Sequence, residues 1–139
     1  MKKSAGVIVK VGNKCLLCKR NALESHAGEW SIPGGKMEPG EDEIETAYRE
    51  FFEETNLELA LPLDFVGVIK RMNREGTKQK GVMYVFSTEN DEEVLPDLEN
   101  AKDGHEHTEC GYFGLDDLPE PMNDTFNEII TGFLNRKTK

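Results

Sequence analysis

The segment PGGKMEPGEDEIETAYREFFEETNL, residues 33–57, constrains the fold more than any other part of the chain. Its glycines and prolines mark a loop. That loop runs without a spacer into a pattern with helical period. Ile44, Ala47, Tyr48, Phe51 and Thr55 recur at helical spacing, which predicts a packed stripe and a helix over residues 42–55. Asp42 followed by Glu45 has the spacing of a capping box, with Asp in place of Ser or Thr. Acids at this end also suit the helix dipole. Asn56 stands where the helix should stop, and Asn is second only to Gly as a left-handed cap.

The charges on this helix work against its stability. Glu50, Glu53 and Glu54 fall away from the predicted stripe, within an arc of about 100°. Like charges three or four residues apart each cost about 0.2–0.5 kcal/mol. Between residues 41 and 58 the only basic side chain is Arg49. One reading is a solvated acidic face, although such faces usually intersperse lysines. The other is a hard divalent cation, which reverses the sign of the repulsion; magnesium binds through a few carboxylates plus substrate phosphates and water. The preceding loop favours the cation. Its glycines allow close backbone approach to a ligand, and a helix N-terminus offers free N–H groups.

The rest of the chain bounds the possibilities. Its 139 residues, 37% hydrophobic and 32% charged, predict a single domain over residues 1–139 with a real core. A net charge of −10 repels duplex nucleic acid and anionic membrane surfaces. It leaves room for a small polyphosphate, because a divalent metal inverts the local field. The apolar run in MKKSAGVIVK stops at Lys10, too short for a signal peptide or a span, so a cytoplasmic location is expected. Cys15, Cys18 and Cys110 are expected to be reduced, buried thiols. The CLLC spacing lacks a second pair for zinc, and strand residues three apart point to opposite faces.

AGVIVKV and KCLLCKR read as strands joined by a Gly12-Asn13 hairpin turn. ALESHAGEWSIPGGKMEPGE is a loop-rich segment around a short WSI strand, in which Trp30 is expected as a core anchor. LDFVGVIKRM, KGVMYVFST and TECGYFGL follow as strands. NDTFNEIITGFLNRK closes the chain as an amphipathic helix with Phe126, Ile129, Ile130 and Phe133 on one face. Strands mixed with two helices predict an α/β layered domain with a mixed sheet.

Residues 35–57 resemble the signature of the Nudix hydrolase family. The matching positions are Gly35, Glu41, Arg49, Glu50, Phe51, Glu53, Glu54, Asn56 and Leu57. Two depart from the pattern: Phe51 is aromatic where an aliphatic is usual, and Asn56 replaces a glycine. LLCKR, GEWSIPGGK and YFGLDDLPEP resemble the family's flanking pattern, so the likeness covers most of the chain. It implies an α/β/α sandwich with a mixed β-sheet, and magnesium- or manganese-dependent hydrolysis of a nucleoside diphosphate linked to another group. Glu50 and Glu54 are then the expected direct metal ligands, with the Gly35 carbonyl as a further one. Glu53 is a third ligand or the base that activates water. Arg49 would orient one of these acids, its plainer alternative being an exposed pair with Glu45 or Glu53. Glu41 would hold a water or simply favour the helix start. Arg20 and Lys36 become candidates for phosphate oxygens.

Other segments keep open readings. GHEHTE holds His105, Glu106, His107 and Glu109; a solvated loop is the plain reading, and the resemblance offers Glu109 first and Glu106 second as a base or extra ligand. The connector over residues 70–80 carries five basic residues against Glu75, read as a solvated hairpin tip or as a contact to polyphosphate or an RNA end. No Ser/His/Asp arrangement for covalent catalysis is apparent. The expected partner is a small nucleotide, most simply a nucleoside triphosphate, because the region past the helix reads RMNRE, without the proline or tyrosine that marks other branches of the family. The resemblance also leaves a homodimer open.

Overall fold

Short apolar runs without strict alternation, such as residues 15–18, suit strands that are buried on both faces. The computed structural model describes residues 1–136 except Ser25, Ala60, Leu61 and Arg74, and it has that architecture. Expectations touching Ser25, Arg74 and Lys137 lie outside the described residues. Seven strands form one sheet: β1 (Lys2–Val11), β2 (Lys14–Arg20), β3 (Trp30–Ser31), β4 (Gly34–Lys36), β5 (Asp64–Met72), β6 (Gln79–Glu89) and β7 (His107–Gly114). Their main order is β3-β2-β1-β6-β5, with β4 on β1 and β7 on β2. β1 and β6 run parallel while the other pairs are antiparallel, so the sheet is mixed.

Helices α1 (Glu43–Thr55) and α2 (Asp124–Leu134) cover opposite faces. Alternation along the strands sorts the core. Ile8, Cys15 and Leu17 pack with Trp30, Phe126 and Ile130 on the α2 side. Val7, Val9, Leu16 and Cys18 pack with Ala47 and Phe51 on the α1 side. The result is an α/β/α sandwich. Trp30 is buried, edge-on to Phe113 at 5.2 Å. Gly12 takes the positive φ that the two-residue turn between β1 and β2 requires. No helix among the described residues is long and apolar enough to cross a membrane.

Three expectations change. Cys18 and Cys110 face each other across β2 and β7 and are joined as a disulfide, leaving Cys15 as the buried free thiol; spacing along the chain cannot show a pair formed across strands. The glycine segment before α1 is a strand, β4, held against Ala5 and Gly6 of β1. A Cβ at Gly34 would strike the Ala5 carbonyl, so this glycine serves close strand approach. Ile44 is exposed, and Glu54 takes a buried place on α1 beside Thr46, Ala47, Phe51 and Thr55.

Candidate active site

The cap of α1 fixes where its acids point. Asp42 accepts the Glu45 N–H at 2.8 Å, and Glu45 accepts the Asp42 N–H at 2.9 Å, completing the capping box. Asn56 ends the helix in the left-handed region, φ 59°, and donates to the Phe52 carbonyl. Between these ends Arg49 gathers the acids. Its Nε donates to Glu41 at 2.6 Å, and its two terminal nitrogens reach Glu41 (3.0 Å), Glu50 (2.9 Å), Glu53 (3.1 Å) and the Lys36 carbonyl (2.8 Å). The sequence assigns Arg49 one acid; it hydrogen-bonds three, lies 3.6 Å from a fourth, Glu38, and also holds the loop backbone. Glu41 is its closest partner, and also accepts from the Glu38 N–H and the Thr46 hydroxyl. Hydrogen bonding from Arg49 draws the Glu41 pKa down to about 2, and the same contact raises that of Arg49.

Glu54 has the opposite environment. It is 1% exposed, its Oε1 receives the Gly34 N–H at 3.4 Å, and its Oε2 has no hydrogen-bond partner among the described residues. Burial pushes its pKa well above the carboxylate range, with Glu106 and Glu50 adding to the shift. His107 Nε2 lies 3.5 Å from Glu54 Oε1. That contact is not an ion pair at neutral pH: burial and then Arg20 lower the His107 pKa to about 4, and neither ring nitrogen has a hydrogen-bond partner among the described residues.

Gly35 completes this corner. A Cβ there would collide with the Glu50 carboxylate. An unpartnered buried carboxylate oxygen, a second carboxylate beside it and a residue with no side chain in the way make a cradle lined by hard oxygen. That donor set fits magnesium or manganese. A buried acceptor left unpaired costs about 1–3 kcal/mol, and a bound cation removes that cost.

Glu53 faces another way. Its carboxylate is tied to Arg49 and, at 3.4 Å, to Lys102. Its backbone carbonyl accepts the Asp103 N–H at 2.7 Å, which anchors the short 3-10 turn Gly104–Glu106 against α1. That anchor brings Glu106 toward Glu50 and Glu54. Glu106 is half-buried, and burial first, then Asp103, Glu24 and Glu50, raise its pKa. Glu109 is placed elsewhere. β7 shifts register where Lys19 and Arg20 oppose Glu109 and His107, leaving Thr108 unopposed. Cys110, paired with Cys18, faces α1, so alternation turns Glu109 to the opposite face, where it is exposed, while the bulge returns His107 to the α1 side. The GHEHTE segment is therefore not a uniformly solvated loop, since His107 is 4% exposed.

A cleft of about 630 Å³ runs past this corner. Arg20, Gly35, Lys36, Glu50 and Glu106 line it, and Glu53, Glu54 and Glu109 do not. Arg71 and Lys80 of the basic connector line it too, so those two are not part of a solvated tip. Arg20 lies 3.8 Å from Glu24. Ile32, Met83 and Phe126 give the cleft an apolar patch beside these charges.

A family model of the NUDIX domain matches residues 1–133. Among curated proteins, the chain is 39% identical over 93 residues to "Nudix hydrolase 3" of Caenorhabditis elegans, covering 66% of this chain and 38% of that protein. It is 30% identical over 99 residues to "RNA pyrophosphohydrolase" of Pelagibacter ubique, covering 62% and 61%. It is 33% identical over 89 residues to "Bis(5'-nucleosyl)-tetraphosphatase [asymmetrical]" of Rattus norvegicus, covering 63% and 57%. The matched chain thus spans between 38% and 61% of the length of these relatives. The MutT NUDIX hydrolase structure from Burkholderia pseudomallei superposes with a TM-score of 0.77 at 24% identity, covering 93% of this chain and 95% of that one.

Proposed function

Since the chain belongs to the Nudix hydrolase family, whose members act on phosphoanhydride bonds, we propose that it is a magnesium- or manganese-dependent pyrophosphohydrolase of a nucleoside triphosphate. The observation that carries this reading is the Glu54 carboxylate, buried with one oxygen unpartnered, beside Glu50 and the side-chain-free Gly35. Glu50, Glu54 and the Gly35 carbonyl would hold the cation, while Glu53, tied to Arg49 and Lys102, would act from outside that set. When bound, the cation neutralises phosphate charge and makes a bound water more acidic.

The protein's own residues do the rest. Arg49 fixes the Glu50 and Glu53 carboxylates so that they need not reorganise. Glu106 faces the cleft, and burial raises its pKa above the ordinary carboxylate value, which makes it a stronger base. Water oxygen forms a bond to phosphorus, its proton passes to Glu106, and the bond to the bridging oxygen breaks. Arg20 and Lys36 hold phosphate oxygens along the cleft. The products are a nucleoside monophosphate and pyrophosphate. The relatives named RNA pyrophosphohydrolase and bis(5'-nucleosyl)-tetraphosphatase support a second reading, a longer substrate with the same kind of bond broken.

The test is a nucleotide panel with and without magnesium, run in oxygen-18 water. Metal-dependent monophosphate and pyrophosphate from a triphosphate supports the proposal. Orthophosphate carrying the label, with diphosphate left behind, overturns it.

A further inference from the structure

Arg71 has an unusual setting for an arginine on a sheet strand near the edge of a molecule with net charge −10. Its guanidinium lies over the Phe126 ring, 5.3 Å from the centroid, where the side chain is shelved between β5 and α2. Both residues line the cleft. Burial lowers the Arg71 pKa, and the neighbouring Arg20 charge lowers it further, while Glu29 acts the other way. Two guanidiniums from different strands, β2 and β5, thus meet in one cleft at mutual repulsion. Lys2, Lys3 and Lys80, at the starts of β1 and β6, line the same wall.

Packing alone does not account for this arrangement. An apolar side chain would cover Phe126 without the cost of bringing a partly desolvated cation toward a second one. A multiply charged anion reverses that cost, and guanidinium pairs match phosphate oxygens in geometry as well as charge. The acidic corner at Glu50 lines the same cleft.

We propose that Arg71, with Arg20, forms a second phosphate subsite on the β5/α2 side of the cleft, taking a phosphate group of the substrate's chain away from the Glu50 corner. This deepens the proposed function and rests on it for the identity of the substrate, but the anion-binding half stands without a metal. The subsite makes phosphate number, beyond the bond that breaks, a determinant of affinity.

The test separates the two. Tripolyphosphate is titrated into the protein in excess EDTA and followed by calorimetry, for wild type, Arg71→Met and Arg71→Lys. Methionine keeps an unbranched stem against Phe126, and lysine keeps the charge. Wild type should bind, Arg71→Met should bind about tenfold or more weakly, and Arg71→Lys should fall between them. The melting temperature of Arg71→Met, measured alongside, should stay near wild type, showing a folded protein. No binding by wild type, or equal binding by a folded Arg71→Met, overturns the subsite whatever the enzyme hydrolyses. With magnesium present, Arg71→Met should raise the KM for a nucleoside triphosphate by more than it lowers kcat. An unchanged KM beside lost tripolyphosphate binding would show that the anion is a free oligophosphate and overturn its assignment to substrate.

Discussion

At Gly35 the backbone leaves no space for a Cβ, because the Glu50 carboxylate occupies it. Gly35→Ala must therefore move Glu50 away from its place beside Glu54. Misplacing a reacting or ligating group by an ångström costs about a hundredfold in rate, so the variant should fold and show activity lower by that order in a nucleotide assay. Glu54 gives a prediction of the opposite sign for stability. Its folded pKa is raised above the unfolded value, first by burial, so folding without metal takes up a proton and stability falls as pH rises from about 4.5 toward the raised value. Glu54→Gln removes that ionisation. In EDTA at pH 8 it should raise Tm by about 3 °C or more, given that each kcal/mol is worth about that much in a chain of this size. The same variant should lose activity by orders of magnitude with magnesium, since a ligand charge is gone. A lower Tm in EDTA would show that Glu54 is stabilised by contacts within the protein, against the cradle described above.

On the scale of elements, α1 was the most legible part of the sequence because its signals are local. The capping box at Asp42 and Glu45 and the left-handed Asn56 are recorded in neighbouring residues, and the residue types of the site follow from the same segment. What the sequence left out depends on strands meeting. Arg71 enters the cleft through β5, and His107 reaches Glu54 because the bulge at Thr108 turns it to the α1 side while its neighbour Glu109 stays on the other. None of these has a period to read. The burial of Glu54 was missed for a related reason: helical spacing shows which residues share a face, but not how far β4 wraps over it. Arg49 and Glu41 strap the loop to the helix, and this strap titrates. The folded Glu41 pKa is depressed to about 2, with Arg49 as the leading cause. Its contribution is thus present above the unfolded value near 4.5 and is lost as pH falls through 2. Glu41→Gln should lower the denaturant midpoint at pH 7, and the gap to wild type should close as pH drops below 4. A gap that persists unchanged at pH 2.5 would point to packing and not charge.

For the whole molecule, the −10 charge and the acidic helix destabilise the metal-free protein by self-repulsion. The sandwich tolerates that because both faces of its sheet are buried, by α1 on one side and α2 on the other. A cation bound only by the folded state then adds stability by mass action, about 2.7 kcal/mol at one hundred times its Kd. Millimolar magnesium should raise the wild-type Tm well beyond what the same ionic strength of sodium chloride gives, since screening acts on all the charges alike. In the proposed function Glu50 and Glu54 hold the metal. Manganese titration followed by the electron paramagnetic resonance of the free ion tests it most directly, in wild type, in a Glu50→Gln, Glu54→Gln double variant and in an Asp116→Asn, Asp117→Asn control that removes equal charge from a distant turn. The double variant should bind manganese at least about tenfold more weakly than wild type, with the control unchanged. Equal binding by all three proteins would contradict the assignment.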